Sequence, residues 1–144
     1  MEVLSATNYL DILGAKTHEY DWAEISISLK FDLSFIRLFR TNLVPWYLSR
    51  NKYLTEEVIK ELQHVLYWED VCRNLDLSET FIEEMAFNID WNQMFNRRGR
   101  MPFTKKFFKK WYKKTNKDTL LDNYKLTKKE LKICLPHLKK GIEW

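Results

Sequence analysis

Hydrophobic and polar positions recur along the chain as a six-residue block. An apolar residue is followed by Asp, Ser or Thr, then two free positions, then two mostly apolar residues. The block reads Phe31-Asp32-Leu33-Ser34-Phe35-Ile36, Leu54-Thr55-Glu56-Glu57-Val58-Ile59 and Leu77-Ser78-Glu79-Thr80-Phe81-Ile82, then Phe103-Thr104-Lys105-Lys106-Phe107-Phe108 and Leu126-Thr127-Lys128-Lys129-Glu130-Leu131. Its starts lie 23, 23, 26 and 23 residues apart, which defines five units. A further apolar residue follows each start by eight positions, as Phe39, Leu62, Met85, Trp111 and Cys134. Tryptophan follows the first three starts by 15, 14 and 14 positions, as Trp46, Trp68 and Trp91. Trp22 belongs to a degenerate leading unit that begins at Leu4-Ser5.

Asp, Ser or Thr before an apolar periodic stretch is a helix N-cap, because its side-chain oxygen satisfies an orphan N–H of the first turn. Positions 4, 5, 8 and 12 after each start then share one face of a 3.6-residue helix. The second half of a unit, Trp68-Glu69-Asp70-Val71 or Trp91-Asn92-Gln93-Met94, suits a short return helix. Each unit therefore predicts a helix of about ten residues, a turn and a shorter helix. Twenty-three residues cannot bury an apolar face alone, so neighbours must stack. The expected fold is all-α, a compact curved array of about five helix-turn-helix repeats within one domain over residues 1–144. An irregular helical bundle is the alternative. Trp46, Trp68 and Trp91 are expected in the core, and Gly99 is expected to mark the turn that lengthens the third interval to 26 residues.

The run from Trp68 through Val71, Leu77-Ser78-Glu79, Phe81-Ile82 and Asp90-Trp91 resembles the short Trp-x-x-Ile and Leu-Ser-Glu-x-Phe-Ile repeats of uncharacterised proteins from large DNA viruses and phages. The resemblance covers residues 22–94 well and 103–144 poorly, because tryptophan is lost from its position after Trp91. It implies an α-helical repeat array of viral origin and carries over no catalytic residue.

Composition agrees with helices. Of 144 residues 45% are apolar, and only three Gly and three Pro punctuate the chain. No apolar run reaches the roughly 18 residues of a membrane span, and the first residues lack the pattern of a signal peptide. Two cysteines make no disulfide framework, so the expected compartment is reducing and intracellular, cytoplasmic or nuclear, not secreted.

Charge changes the picture more. Residues 1–96 hold 8 basic and 16 acidic side chains, a net of −8, whereas residues 97–144 hold 16 basic and 4 acidic ones, a net of +12. A basic third implies an anionic partner. The candidate nucleic-acid or anion-binding residues are Arg97, Arg98, Arg100, Lys105, Lys106, Lys109, Lys110, Lys113, Lys114, Lys128 and Lys129. Lys105-Lys106 and Lys128-Lys129 stand where earlier units carry Glu-Glu or Glu-Thr, in the first turn of a helix, where lysine opposes the dipole. That penalty, accepted twice, points to phosphate at the helix starts. Such contacts depend on salt and not on base sequence. The aromatic stripe Phe103, Phe107, Phe108 and Trp111 reads as the unit's own core face, which disfavours a membrane surface as partner.

Enzyme signatures are missing. Gly14, Gly99 and Gly141 are isolated, so no glycine-rich loop cradles a nucleotide, and no nucleophile elbow or zinc-protease helix is present. Cys72, His64, Cys134 and His137 have irregular spacing for zinc, with Pro136 between the last pair. Cys134 fills the buried column and reads as structural; His18 and His64 are isolated. No cofactor and no metal are expected. The residues point to a non-enzymatic macromolecule-binding protein whose basic face engages nucleic acid or a nucleic-acid-handling complex, and the resemblance implies that it is a viral or phage inhibitor of a host factor. The alternative is a protein–protein adaptor working through Glu56, Glu57, Glu61, Glu79, Glu83 and Glu84 on a basic partner. Pairing of acidic and basic halves between copies would give a homodimer.

Overall fold

The computed structural model describes residues 20–97 and 100–138. Every expected N-cap among the described residues is in use. Asp32, Thr55, Ser78, Thr104 and Thr127 each accept, through the side chain, the N–H three residues on. They open α2 (Leu33–Phe39), α4 (Glu56–Glu61), α6 (Glu79–Glu84), α8 (Lys105–Trp111) and α10 (Lys128–Cys134). Between them run the return helices α3 (Pro45–Leu48), α5 (Trp68–Asn74), α7 (Trp91–Met94) and α9 (Lys117–Asn123). A leading return helix, α1 (Trp22–Ser28), is capped by Asp21. Unit five continues from α10 into a 3-10 turn, Leu135–Leu138. The start expected for the leading unit, Leu4-Ser5, lies outside the described residues.

Two lengths differ from expectation. The first helices have six or seven residues instead of ten, because the chain tightens at the eighth position: the Leu62 N–H reaches the Ile59 carbonyl as well as that of Val58. The return helices are not always shorter, since α5 has seven residues against six in α4.

Burial follows the columns of the repeat. Phe35, Val58, Phe81 and Phe107 are buried at the fourth position, and Ile36, Ile59, Ile82 and Phe108 at the fifth. Phe39, Leu62, Met85 and Cys134 are buried at the eighth, with Trp111 half-buried. First helices pack on first helices (α2 on α4, α8 on α10) and return helices on return helices (α1 on α3, α5 on α7). The fold is an all-α stack whose single apolar cluster runs from Phe31 to Cys134.

Tryptophan follows the columns less faithfully. Trp22, Trp68 and Trp91 each open a return helix and pack half-buried against the core. In unit one Pro45 takes that opening position, where its missing N–H costs nothing. Trp46 is thereby displaced by one residue and stands 41% exposed, with the Arg50 guanidinium 3.7 Å from its ring centre. The expectation that Trp46 is core is corrected.

A second column joins neighbouring units through the return helices. Ser26 Oγ accepts the Val44 N–H at 2.9 Å, and Ser49 Oγ accepts the Tyr67 N–H at 2.7 Å. Each hydroxyl donates to the carbonyl four residues back. One unit later Cys72 occupies the same place and receives the Asp90 N–H. Burial pushes the Cys72 thiol up to about 12 and also raises that of Cys134.

Candidate nucleic-acid interface

The acidic candidates are largely engaged in holding units together. The Ser78 N–H and hydroxyl both donate to the Glu56 carboxylate, at 2.7 and 2.9 Å. The Thr104 N–H and hydroxyl donate in the same way to Glu79, at 2.7 and 2.6 Å. A carboxylate of one unit thus closes the helix start of the next, where the dipole favours negative charge.

A charge ladder runs beside these clamps. The residue six positions after one block start pairs with the residue seven positions after the next: Arg37 with Glu61 at 2.8 Å, Lys60 with Glu84, and Glu83 with Lys110 at 3.8 Å. The hydrogen bond from Arg37 holds the Glu61 carboxyl below its ordinary pKa and raises that of Arg37. The polarity inverts at the third rung, and the indole N–H of Trp111 also donates to Glu83 at 3.2 Å. Of the six glutamates, Glu57 alone makes neither a clamp nor a rung with a described residue.

At the fourth rung the ladder stops, because Lys109 stands opposite the register of Ile133. The positions two, three and six after the block start read Glu56, Glu57 and Lys60 in unit two and Glu79, Thr80 and Glu83 in unit three. They read Lys105, Lys106 and Lys109 in unit four and Lys128, Lys129 and Lys132 in unit five. All six of these lysines are exposed, and none forms an ion pair with a described residue. Because α8 packs on α10, the two triplets make one strip, with neighbouring helix axes roughly 8–10 Å apart.

The helix starts themselves are not vacant anion sites. Glu79 already supplies a carboxylate at the N-terminus of α8. In α10, Glu130 lies in the first turn and completes a capping box with Thr127, accepting its N–H at 2.9 Å. The expectation that lysine is accepted there without compensation is therefore corrected. The strip is a row of cations on an outer surface.

Arg97 and Arg100 also leave the binding set. Arg97 is only 6% exposed; its guanidinium lies 4.1 Å from the Phe103 ring centre and donates to the Met101 carbonyl at 2.8 Å and to Asp76 at 3.2 Å. Burial lowers its pKa and Asp76 opposes the shift. Arg100 donates to the carbonyls of Arg73 and Leu75, and its N–H closes a turn onto the Arg97 carbonyl at 2.8 Å. These two arginines fasten the lengthened third interval back onto the end of unit two. Arg98 and Gly99, the expected turn glycine, lie outside the described residues.

The remaining basic candidates divide. Lys110 belongs to the ladder. Lys113 and Lys114 are exposed on the turn before α9, beside an open depression of about 630 Å³ lined also by Asn92, Thr115, Asn116, Lys117 and Asp118. Behind the strip lies the densest aromatic packing among the described residues. Phe95, Phe103, Phe108 and Tyr124 meet with ring centres 5.2–6.3 Å apart. The Tyr124 hydroxyl accepts the Phe103 N–H at 2.9 Å and donates to buried Glu130; burial and that hydrogen bond raise its pKa. With Phe103, Phe107 and Phe108 buried, that aromatic face is closed to a membrane surface.

Sequence reasoning missed the clamps and the ladder, although both repeat with the period of the apolar block. Among the described residues no group of three metal-ligating side chains comes together, and no helix is long and apolar enough to cross a membrane. The chain matches no protein-family model, no curated protein and no solved structure at a significant level.

Proposed function

We propose that this chain is a non-enzymatic helical-repeat protein that binds the phosphate backbone of nucleic acid, alone or within a nucleic-acid-handling complex. The carrying observation is the replacement of paired charges by two successive lysine triplets, Lys105, Lys106, Lys109 and Lys128, Lys129, Lys132, on stacked helices. Like charges gathered on one surface repel, and a polyanion relieves that repulsion while releasing its counterions. The Cys72 thiol, buried and with its pKa pushed up to about 12, is a poor candidate for a nucleophile. The Trp and Leu-Ser-Glu-x-Phe-Ile rhythm resembles repeats of uncharacterised proteins from large DNA viruses and phages, and on that resemblance the proposal extends to a viral or phage inhibitor of a host factor at nucleic acid.

The test is fluorescence anisotropy of labelled oligonucleotides across a salt series, with a Lys105→Glu/Lys109→Glu/Lys128→Glu/Lys132→Glu variant beside the wild type. Wild-type binding is expected to weaken steeply with salt and to be lost in the variant. Absence of wild-type binding at low salt would overturn the proposal. Capture of a basic protein instead, abolished by Glu57→Lys, would favour the adaptor reading.

A further inference from the structure

The turns between first and return helices form a separate edge of the stack. Ten positions after the first four block starts, this edge carries Thr41, His64, Phe87 and Lys113, all exposed. Phe87 is extreme: it is 107% exposed, so its ring lies wholly in solvent. An apolar ring gains nothing from that position in the isolated fold, whereas the other aromatic residues of unit three, Phe81, Trp91 and Phe95, pack into the core. The neighbouring turn presents Lys113 and Lys114, neither of which forms an ion pair with a described residue. Units three and four meet at this edge, since Glu83, one helical turn before Phe87, pairs with Lys110, three residues before Lys113. At the start of α7, Asn92 Oδ1 accepts the Thr115 hydroxyl at 2.8 Å and the Asn116 N–H at 3.0 Å. That joint is one wall of the 630 Å³ depression.

Resting on the nucleic-acid reading, we infer that the turn edge of units three and four is a seat for single-stranded nucleic acid: Phe87 stacks an unpaired base while Lys113 and Lys114 hold the adjoining phosphates in the depression. An aromatic face exposed beside unpaired cations is what a single strand needs, because every base offers a π-face and every linkage a charge. A duplex keeps its bases stacked inside and has no use for the ring. The lysine strip on the first helices supplies general attraction, and the edge selects the unpaired form.

The experiment compares a labelled oligothymidine with a duplex of equal length at low salt, using wild type, Phe87→Ala, Phe87→Trp and Lys113→Glu/Lys114→Glu. Full exposure of Phe87 means that its replacement leaves the fold intact, and circular dichroism checks this. Wild type is expected to prefer the single strand. Phe87→Ala is expected to lose about tenfold in affinity for oligothymidine with the duplex unaffected, and Phe87→Trp to restore it. Tight duplex binding with no effect of Phe87→Ala would overturn this inference and leave the basic-strip reading standing. No binding of either oligonucleotide by wild type would overturn both.

Discussion

The front and rear of the stack use one backbone plan and different adhesives. From Leu33 to Glu84, neighbouring first helices are joined by crossed charges and by a carboxylate closing the next helix start. Beyond Lys105 those columns turn to lysine, and cohesion passes to rings, with Phe95 and Tyr124 each packed on Phe103 and Phe108 and Tyr124 bonded to Glu130. The lesson concerns surface chemistry. Where apolar packing carries the joint, charged columns on the outside are released from structural work. The rear can therefore carry a single sign of charge without losing its fold, and that makes it the better candidate for a polyanion site.

Removing a ring from the rear should have the largest effect. Phe108→Ala is expected to cost about 3–5 kcal/mol in urea unfolding, against about 1 kcal/mol for Ile59→Val in the front. A loss under about 1 kcal/mol for Phe108→Ala would show that the rear is not held by its aromatic core. The joint between the two regions comes next. Glu79→Ala withdraws two charge-assisted bonds from the start of α8, and about 1 kcal/mol is expected once partial exposure is discounted. Glu57→Ala removes no hydrogen bond and takes away only a first-turn charge and its attraction to Arg37, so as the control it should lower the midpoint less than Glu79→Ala does. Equal effects of the two would dismiss the clamp.

The smallest effect at neutral pH should come from Cys72→Ser, since serine fills the equivalent places at Ser26 and Ser49. Its sign with pH is distinctive. A thiol raised in the folded state from 9.0 to about 12 contributes stability that is complete below pH 9 and is lost as the pH climbs towards 12. Thermal midpoints followed over that range should fall further in the wild type than in Cys72→Ser. Parallel curves would mean that the thiol does not feel its burial.

The repeat was legible because helix caps and apolar columns are local signals. Asp32, Thr55, Ser78, Thr104 and Thr127 all cap the helices their positions predict, and Ile36, Ile59, Ile82 and Phe108 share one buried column. Trp46 misled because a proline one residue earlier takes the helix opening, shifting the ring by about 100° around the axis. Arg97 misled because a cation is buried only when a distant acceptor meets it, and Asp76 lies 21 residues away across an interval of irregular length. The clamps escaped notice for a different reason. Glu56 and Ser78 look like unrelated surface residues until the period found in the apolar positions is applied to the polar ones.

The direction of the inter-unit bonds has a consequence for how the chain is made. In the joints formed by Ser26, Ser49, Glu56, Glu79 and Asn92, the acceptor side chain belongs to the earlier unit and the backbone N–H to the later one. A ribosome delivers the earlier unit first. Each newly emerged turn or helix start therefore meets an acceptor that is already in place, and the stack can zip up in the order of translation, one unit serving as the template for the next.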